Sequence, residues 1–110
     1  MANSQSQGDR YSYATIDTAP GADGYWCPSV SMSKKNTLEL FFSRRGGGVG
    51  IISLQFQCQG DSGWTDYDHD LDLEDGARCI LDDHGAGVKW RAGIKQGNFT
   101  SGEITLGFDW

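Results

Sequence analysis

Residues 90–110, WRAGIKQGNFTSGEITLGFDW, carry the clearest structural pattern in the sequence. Both halves of this stretch alternate apolar and polar residues, which is the pattern of β-strands whose side chains point to opposite faces in turn. Counted back to position 88, the apolar set is Val88, Trp90, Ala92, Ile94, Ile104, Leu106, Phe108 and Trp110. The alternation predicts two strands that bury this set and expose the charged residues between its members.

We expect the two strands to form one antiparallel hairpin around residues 96–99. Such a hairpin puts both apolar sets on the core side, and one register sets Lys95 against Glu103 and Lys89 against Asp109. It also buries Trp90, whose truncation to alanine should lower the free energy of unfolding by about 3–5 kcal/mol.

Further strand patterns, bounded by turn residues, recur along the chain. They cover residues 11–17, 30–33, 36–43, 49–58 and 77–81, and the glycine run 46–48 is expected to break the chain. With about seven short strands in 110 residues, the sequence predicts an all-β fold, an antiparallel β-sandwich of jelly-roll or immunoglobulin-like kind. Residues 11–110 would form this single domain, behind a flexible polar arm at residues 1–10.

Charge is unevenly distributed along the chain, whose formal net charge is -6. Residues 61–83 hold 9 of the 15 acids and one base, Arg78, which leaves 6 acids and 8 bases elsewhere, a net of +2. A molecule with an acidic segment and a net positive remainder can bind copies of itself or a charged neighbour through opposite charges. No basic stripe indicates a nucleic-acid partner, and no apolar run reaches the length of about 20 residues that spans a bilayer.

The first residues show neither the basic nor the apolar region of a secretory signal. We therefore expect synthesis in a reducing cytoplasm, with Cys27, Cys58 and Cys79 as free thiols.

The acidic segment would set five carboxylates on one face if it is extended: Asp66, Asp68, Asp70, Asp72 and Glu74. Carboxylates this close repel one another, which leaves three explanations open: a calcium ion, a basic neighbour or simple solvation. The spacing departs from the EF-hand rule, because Leu71 stands where glycine is needed and Ala77 where the closing glutamate is needed. We expect no resident metal and no other cofactor.

Catalytic patterns are weak. The loop Gly-Asp-Ser-Gly-Trp around Ser62 has the look of a serine-protease nucleophile loop, but both histidines, His69 and His84, follow it in a chain too short for that fold. Carboxylate pairs of the glycosidase kind can be drawn from any acidic loop. The sequence therefore favours a protein that is not an enzyme.

Aromatic residues exceed what one small core needs. Rings such as Tyr11, Tyr13, Trp26 and Trp64 suit a protein interface or sugar stacking. Together with Arg10 and the acidic segment, they make up the expected interaction surface.

The segments 64–68 (WTDYD) and 88–108 (VKWRAGIKQGNFTSGEITLGF) resemble small all-β virion proteins of tailed bacteriophages, which often end in a hairpin of the type WRAGVK-G-YTSG. The resemblance implies a virion component, assembled in the host cytoplasm, that contacts capsid or tail proteins. A capsid decoration or cement subunit, binding the shell as a homo-oligomer in symmetric copies, fits it best. A carbohydrate- or receptor-binding module of a tail or fibre is the alternative.

Overall fold

A computed structural model describes residues 3–31, 37–58, 60–71, 78–82 and 88–110, with the backbone alone at residues 37, 68–71 and 78–82. These residues form strands and no helix, which confirms the predicted all-β class. The strands are β1 (Ser4–Gln7), β2 (Tyr11–Ile16), β3 (Tyr25–Trp26), β4 (Val30–Ser31), β5 (Thr37–Gly50), β6 (Ile52–Gln57), β7 (Thr65–Leu71), β8 (Arg78–Asp82), β9 (Lys89–Ile94) and β10 (Phe99–Asp109). The described part of the chain therefore contains no helix of the length and hydropathy that a membrane span requires.

The strands make two antiparallel sheets. Sheet A has the order β1-β2-β10-β5-β8, and sheet B the order β3-β9-β6-β7, with β4 also paired to β9. The inner faces of both sheets supply one hydrophobic cluster. Its larger members are Ile16, Leu38, Leu40 and Phe108 from sheet A, and Ile52, Leu54, Trp90 and Ile94 from sheet B.

The C-terminal alternation buries the residues that it was expected to bury. Trp90 is 1% exposed, and Ile94, Ile104, Leu106 and Phe108 are fully buried. The predicted inward faces of both strands are thus confirmed.

The predicted hairpin is wrong. β9 belongs to sheet B, whereas β10 lies in sheet A between β2 and β5. A turn closed by the Asn98 amide, which donates to the Lys95 carbonyl over 3.1 Å, carries the chain from one sheet to the other. The proposed charge pairs do not form, because Glu103 is in register with Arg45 on β5. Alternation fixes which side chains point inward, but it does not distinguish strands that lie side by side from strands that face each other across a core.

The glycine run does not end the strand before it. β5 continues to Gly50, and Gly46 and Gly47 adopt positive φ values of 58° and 72°. The pairing of β5 with β10 shifts register close to these glycines, between Ser101 and Glu103. The run therefore forms an irregularity within a long strand, where left-handed residues without a side chain are tolerated.

The N-terminal segment differs from the flexible arm that we expected. Ser4–Gln7 is β1, the edge strand of sheet A, paired along its length with β2. The Asn3 side-chain oxygen accepts hydrogen bonds from the amides of Asp17 and Thr18, over 2.9 and 3.0 Å. The Gln5 side chain donates to the carbonyl of Trp26. Polar composition suggested an arm, but backbone pairing and the side-chain amides of Asn3 and Gln5 hold this segment against the sheet.

Candidate functional site

The outer face of sheet B carries an arginine held between two tryptophans. Because Trp90 and Ala92 point into the core, Arg91 between them points outward. The guanidinium carbon of Arg91 lies 4.2 Å from the ring centroid of Trp26 and 4.4 Å from that of Trp64. Both distances are well within the range of cation–π attraction. We call these three residues the tryptophan–arginine stack.

A chain of hydrogen bonds runs across the sheet from the stack. Arg91 Nε donates to Gln55 Oε1 over 2.8 Å, and Gln55 Nε2 donates to Asp66 Oδ1 over 2.9 Å. Lys95 Nζ donates to Asp66 Oδ2 over 2.7 Å. Arg91, Gln55 and Asp66 are in register on β9, β6 and β7, so sheet geometry itself sets their order. Each of these hydrogen bonds limits the rotation of the two side chains that it joins.

The loop before β3 and the strand itself fix Trp26. Its indole Nε1 donates to the carbonyl of Asp23 over 2.8 Å, and its backbone pairs with Gly93 on β9. Since Gly93 has no side chain, the indole can lie flat on the outer face of β9 beside Arg91.

A cleft of about 400 Å³ borders the stack. It is lined by Ala22, Asp23, Gly24, Trp26, Gln55, Arg91, Lys95 and Gln96. The charged residues of this lining are two cations, Arg91 and Lys95, and one carboxylate, Asp23.

The guanidinium of Arg91 lines this cleft and is partly shielded from water. Burial lowers the pKa of Arg91 from the ordinary value, and the negative charge of an ionised Cys27 opposes this effect. Among the described residues, no carboxylate forms an ion pair with Arg91, and its two Nη groups have no hydrogen-bond partner. The guanidinium thus contacts two rings and donates from Nε to Gln55, which leaves its two Nη groups as donors for a ligand.

The outer face of sheet A has a second cluster of aromatic residues. The ring centroid of Tyr13 lies 5.7 Å from that of Tyr11 and 6.4 Å from that of Phe41. Tyr13 and Phe41 flank Gly107 of β10 in register, so the rings approach each other over a position without a side chain. Tyr11 is 41% exposed. A shallow cleft lined by Tyr13, Thr15, Phe41, Arg45, Glu103 and Thr105 lies beside this aromatic row.

The expected interaction surface is thus divided between two faces. Tyr11 and Tyr13 lie on sheet A, whereas Trp26, Trp64 and Asp66 meet around Arg91 on sheet B. Arg10 is exposed and accepts a hydrogen bond from the amide of Trp110 through its backbone.

The rest of the acidic segment stays a prediction. The backbone of Asp68 and Asp70 belongs to β7 without a described side chain, and Asp72 and Glu74 lie outside the described residues. In the part of the chain that is described, no three His, Cys, Asp or Glu side chains gather as a metal site would require.

Sequence reasoning missed Arg91, Gln55 and Phe41. Alternation correctly places Arg91 on an outer face, but nothing in the order of residues shows that Trp26 and Trp64 converge on it. The usable signal was Gly93, a glycine inside a strand, since such a residue often marks a close approach by a neighbouring group.

No protein-family model matches the chain, and comparison with curated proteins and with solved structures gave no match either.

Proposed function

We propose that the chain is a non-enzymatic structural protein of a tailed-bacteriophage virion, a capsid decoration subunit that binds the shell in symmetric copies. In this proposal the two sheets form a β-sandwich of jelly-roll or immunoglobulin-like kind. Its partners are capsid proteins and other copies of the chain, and its place is the virion, after assembly in the host cytoplasm.

The observation that carries the proposal is the aromatic row on the outer face of sheet A. Tyr13 lies between Tyr11 and Phe41 on the outer face of sheet A, with ring centroids 5.7 and 6.4 Å away, and Tyr11 is 41% exposed. Tyrosine and phenylalanine are enriched at protein interfaces, where a flat apolar centre is bordered by polar residues. Here Thr15, Thr105, Arg45 and Glu103 supply that border.

The resemblance of residues 88–108 to phage virion proteins is the second ground for the proposal. The apolar positions of this segment build the core, and its polar positions Arg91 and Lys95 build the outer face of sheet B. A protein with the same sequence pattern would therefore have both the hydrophobic core and the polar outer face of sheet B.

Co-sedimentation with phage heads that lack the protein tests the proposal. The parent chain should co-sediment, and Tyr13→Ser together with Phe41→Ser should remove at least about nine-tenths of the bound protein, since loss of buried interface aromatics costs about 2 kcal/mol or more each. Lys89→Gln, a change on the opposite sheet, is the matched control and should bind as the parent does. Failure of the parent chain to sediment with any head preparation would contradict the proposal.

The tryptophan–arginine stack favours a second candidate, a carbohydrate- or receptor-binding module of a tail or fibre. Trp64 is the outer ring of the stack, and the neighbouring cleft offers donors and acceptors suited to sugar hydroxyl groups. A glycan panel tests it, with Trp64→Ala expected to abolish the signal. A panel without any signal from the parent chain would exclude this candidate and leave the decoration proposal untouched.

A further inference from the structure

We propose that the cleft beside the tryptophan–arginine stack binds a sugar that carries a carboxylate, with Arg91 and Lys95 as the groups that hold the acid. The inference rests on the second proposed function and names the ligand class for it.

Arg91 uses only one of its hydrogen-bond donors within the described chain. A guanidinium has five N–H donors in a rigid fork, and only Nε is used, on Gln55. A partly buried cation is ordinarily matched by an anion. Within the described chain, however, the carboxylate of the network, Asp66, is bound by Gln55 and Lys95 instead. The position of the missing counter-charge is the cleft that Arg91 lines.

Arg91 is partly ordered in the absence of a ligand. Its guanidinium contacts the rings of Trp26 and Trp64, and its Nε donates to Gln55. This ordering removes part of the entropic cost of binding. The 2.7 Å bond to Asp66 orients Lys95 more weakly, because both side chains are partly exposed. Lys95 has three N–H donors and spends one on Asp66, so it can donate to a ligand as well.

The size and the remaining lining of the cleft suit a sugar ring. A volume of about 400 Å³ accommodates a sugar ring rather than a lone ion. Gln96 and Asp23 lie on the rim and can donate to and accept from hydroxyl groups, and the indole of Trp26 forms an apolar wall. A carboxylate on a polyhydroxylated ring meets all of these groups at once.

Titration calorimetry with glucuronate and with its methyl ester tests the proposal, because the two ligands differ only in the charged group. The parent chain should bind glucuronate at least about tenfold more tightly than the ester, the difference that about 1.4 kcal/mol of charge-assisted hydrogen bonding makes. Equal affinity for the two would overturn the proposal, and so would the absence of saturable binding of glucuronate.

Variants locate the site. Lys95→Gln should weaken glucuronate binding about fivefold or more, and Arg91→Lys, which keeps the charge but loses the fork, should weaken it about tenfold or more. Lys89→Gln, an exposed change on the same strand outside the lining, should bind as the parent does. Thermal unfolding of each variant shows that the fold is kept, and since Lys95 is on the surface, its variant serves even if the Arg91 variant unfolds. Unchanged affinity in Lys95→Gln would overturn the assignment.

Two further ligands separate the inference from the function on which it rests. If neutral sugars on the glycan panel bind as well as glucuronate, the carboxylate inference fails while the glycan-binding function stands. If acetate binds as tightly as glucuronate, the cleft recognises a carboxylate alone and the assignment to a sugar fails. If no glycan binds, both fail.

Discussion

The indole of Trp26 lies over Gly93 so closely that a methyl group at position 93 would stand 2.8 Å from its Cε3 atom. The same methyl group would stand 2.1 Å from the carbonyl oxygen of Tyr25, which is backbone and cannot rotate away. Glycine at position 93 is therefore a condition for the contact between β3 and β9, and through Trp26 for the tryptophan–arginine stack.

Gly93→Ala should lower the free energy of unfolding by about 1–3 kcal/mol, because overpacking forces the two strands apart. Urea denaturation measures the change. Gly21→Ala is the control, since a methyl group there meets nothing within 4 Å, and it should change the free energy by less than about 0.5 kcal/mol. If the two variants had the same free energy of unfolding, β3 would be able to move away from β9 without destabilising the fold, which would contradict the prediction.

Trp90→Ala should destabilise the protein by about 3–5 kcal/mol, as the removal of a buried indole ordinarily does. Trp90 is 1% exposed and packs on Phe56, with ring centroids 5.7 Å apart. Trp64→Ala, which removes a partly exposed ring from the stack, should cost only about 1 kcal/mol. Chemical denaturation of both variants checks the order, and a Trp90 variant that unfolds like the parent would contradict the described core.

The ion pair between Lys95 and Asp66 should couple weakly. Its side chains are 37% and 33% exposed, so solvent and salt screen the attraction in spite of the 2.7 Å separation. A double-mutant cycle with Lys95→Gln and Asp66→Asn should give a coupling of about 0.2–1 kcal/mol that shrinks at high salt. A matched cycle on Lys95 and Glu103, which do not meet, should give none.

The Cys27 thiol should make stability depend on pH at the alkaline end. Burial raises the pKa of Cys27 above its ordinary value of 9.0. The folded state therefore keeps a proton that the unfolded state releases, so stability is fully present below pH 9.0 and falls as the pH rises above it.

Comparison with Cys27→Ala isolates this effect from the other groups that titrate there. The difference in the free energy of unfolding between parent and variant should be constant below pH 9.0 and shrink above it. A constant difference throughout would contradict the raised pKa. In native protein lacking Cys79, a thiol reagent should label exposed Cys58 and spare Cys27 until unfolding.

Much of the fold could be predicted because alternation reports burial directly. The inward residues of β9 and β10 follow from a period of two, and so does the outward position of Arg91. The sequence could not predict which strands are neighbours. Lys95 can form an ion pair with Glu103 in a hairpin or with Asp66 across β6, and the residue pattern does not favour either. The structure takes the second arrangement, and the surface charges change partners accordingly.

The candidate site was less accessible to prediction for the same reason. Trp26, Trp64 and Arg91 are far apart in the chain, and only the pairing of β3, β9, β6 and β7 brings them together. Composition correctly indicated excess aromatic residues, but the assignment of each ring to a face required the sheet order. At the N-terminus, polar composition gives no sign of β1, because this strand is held by its backbone and by Asn3.

The order of sheet A has a consequence for biosynthesis. β10 is the shared neighbour of β2 and β5, yet ribosomes make it after both of them. Until residues 99–109 leave the exit tunnel, the nascent chain presents two separated strand edges with a gap between them, open to chaperones or to wrong pairing. Sheet A can therefore close only after β10 has been made and has paired with both β2 and β5.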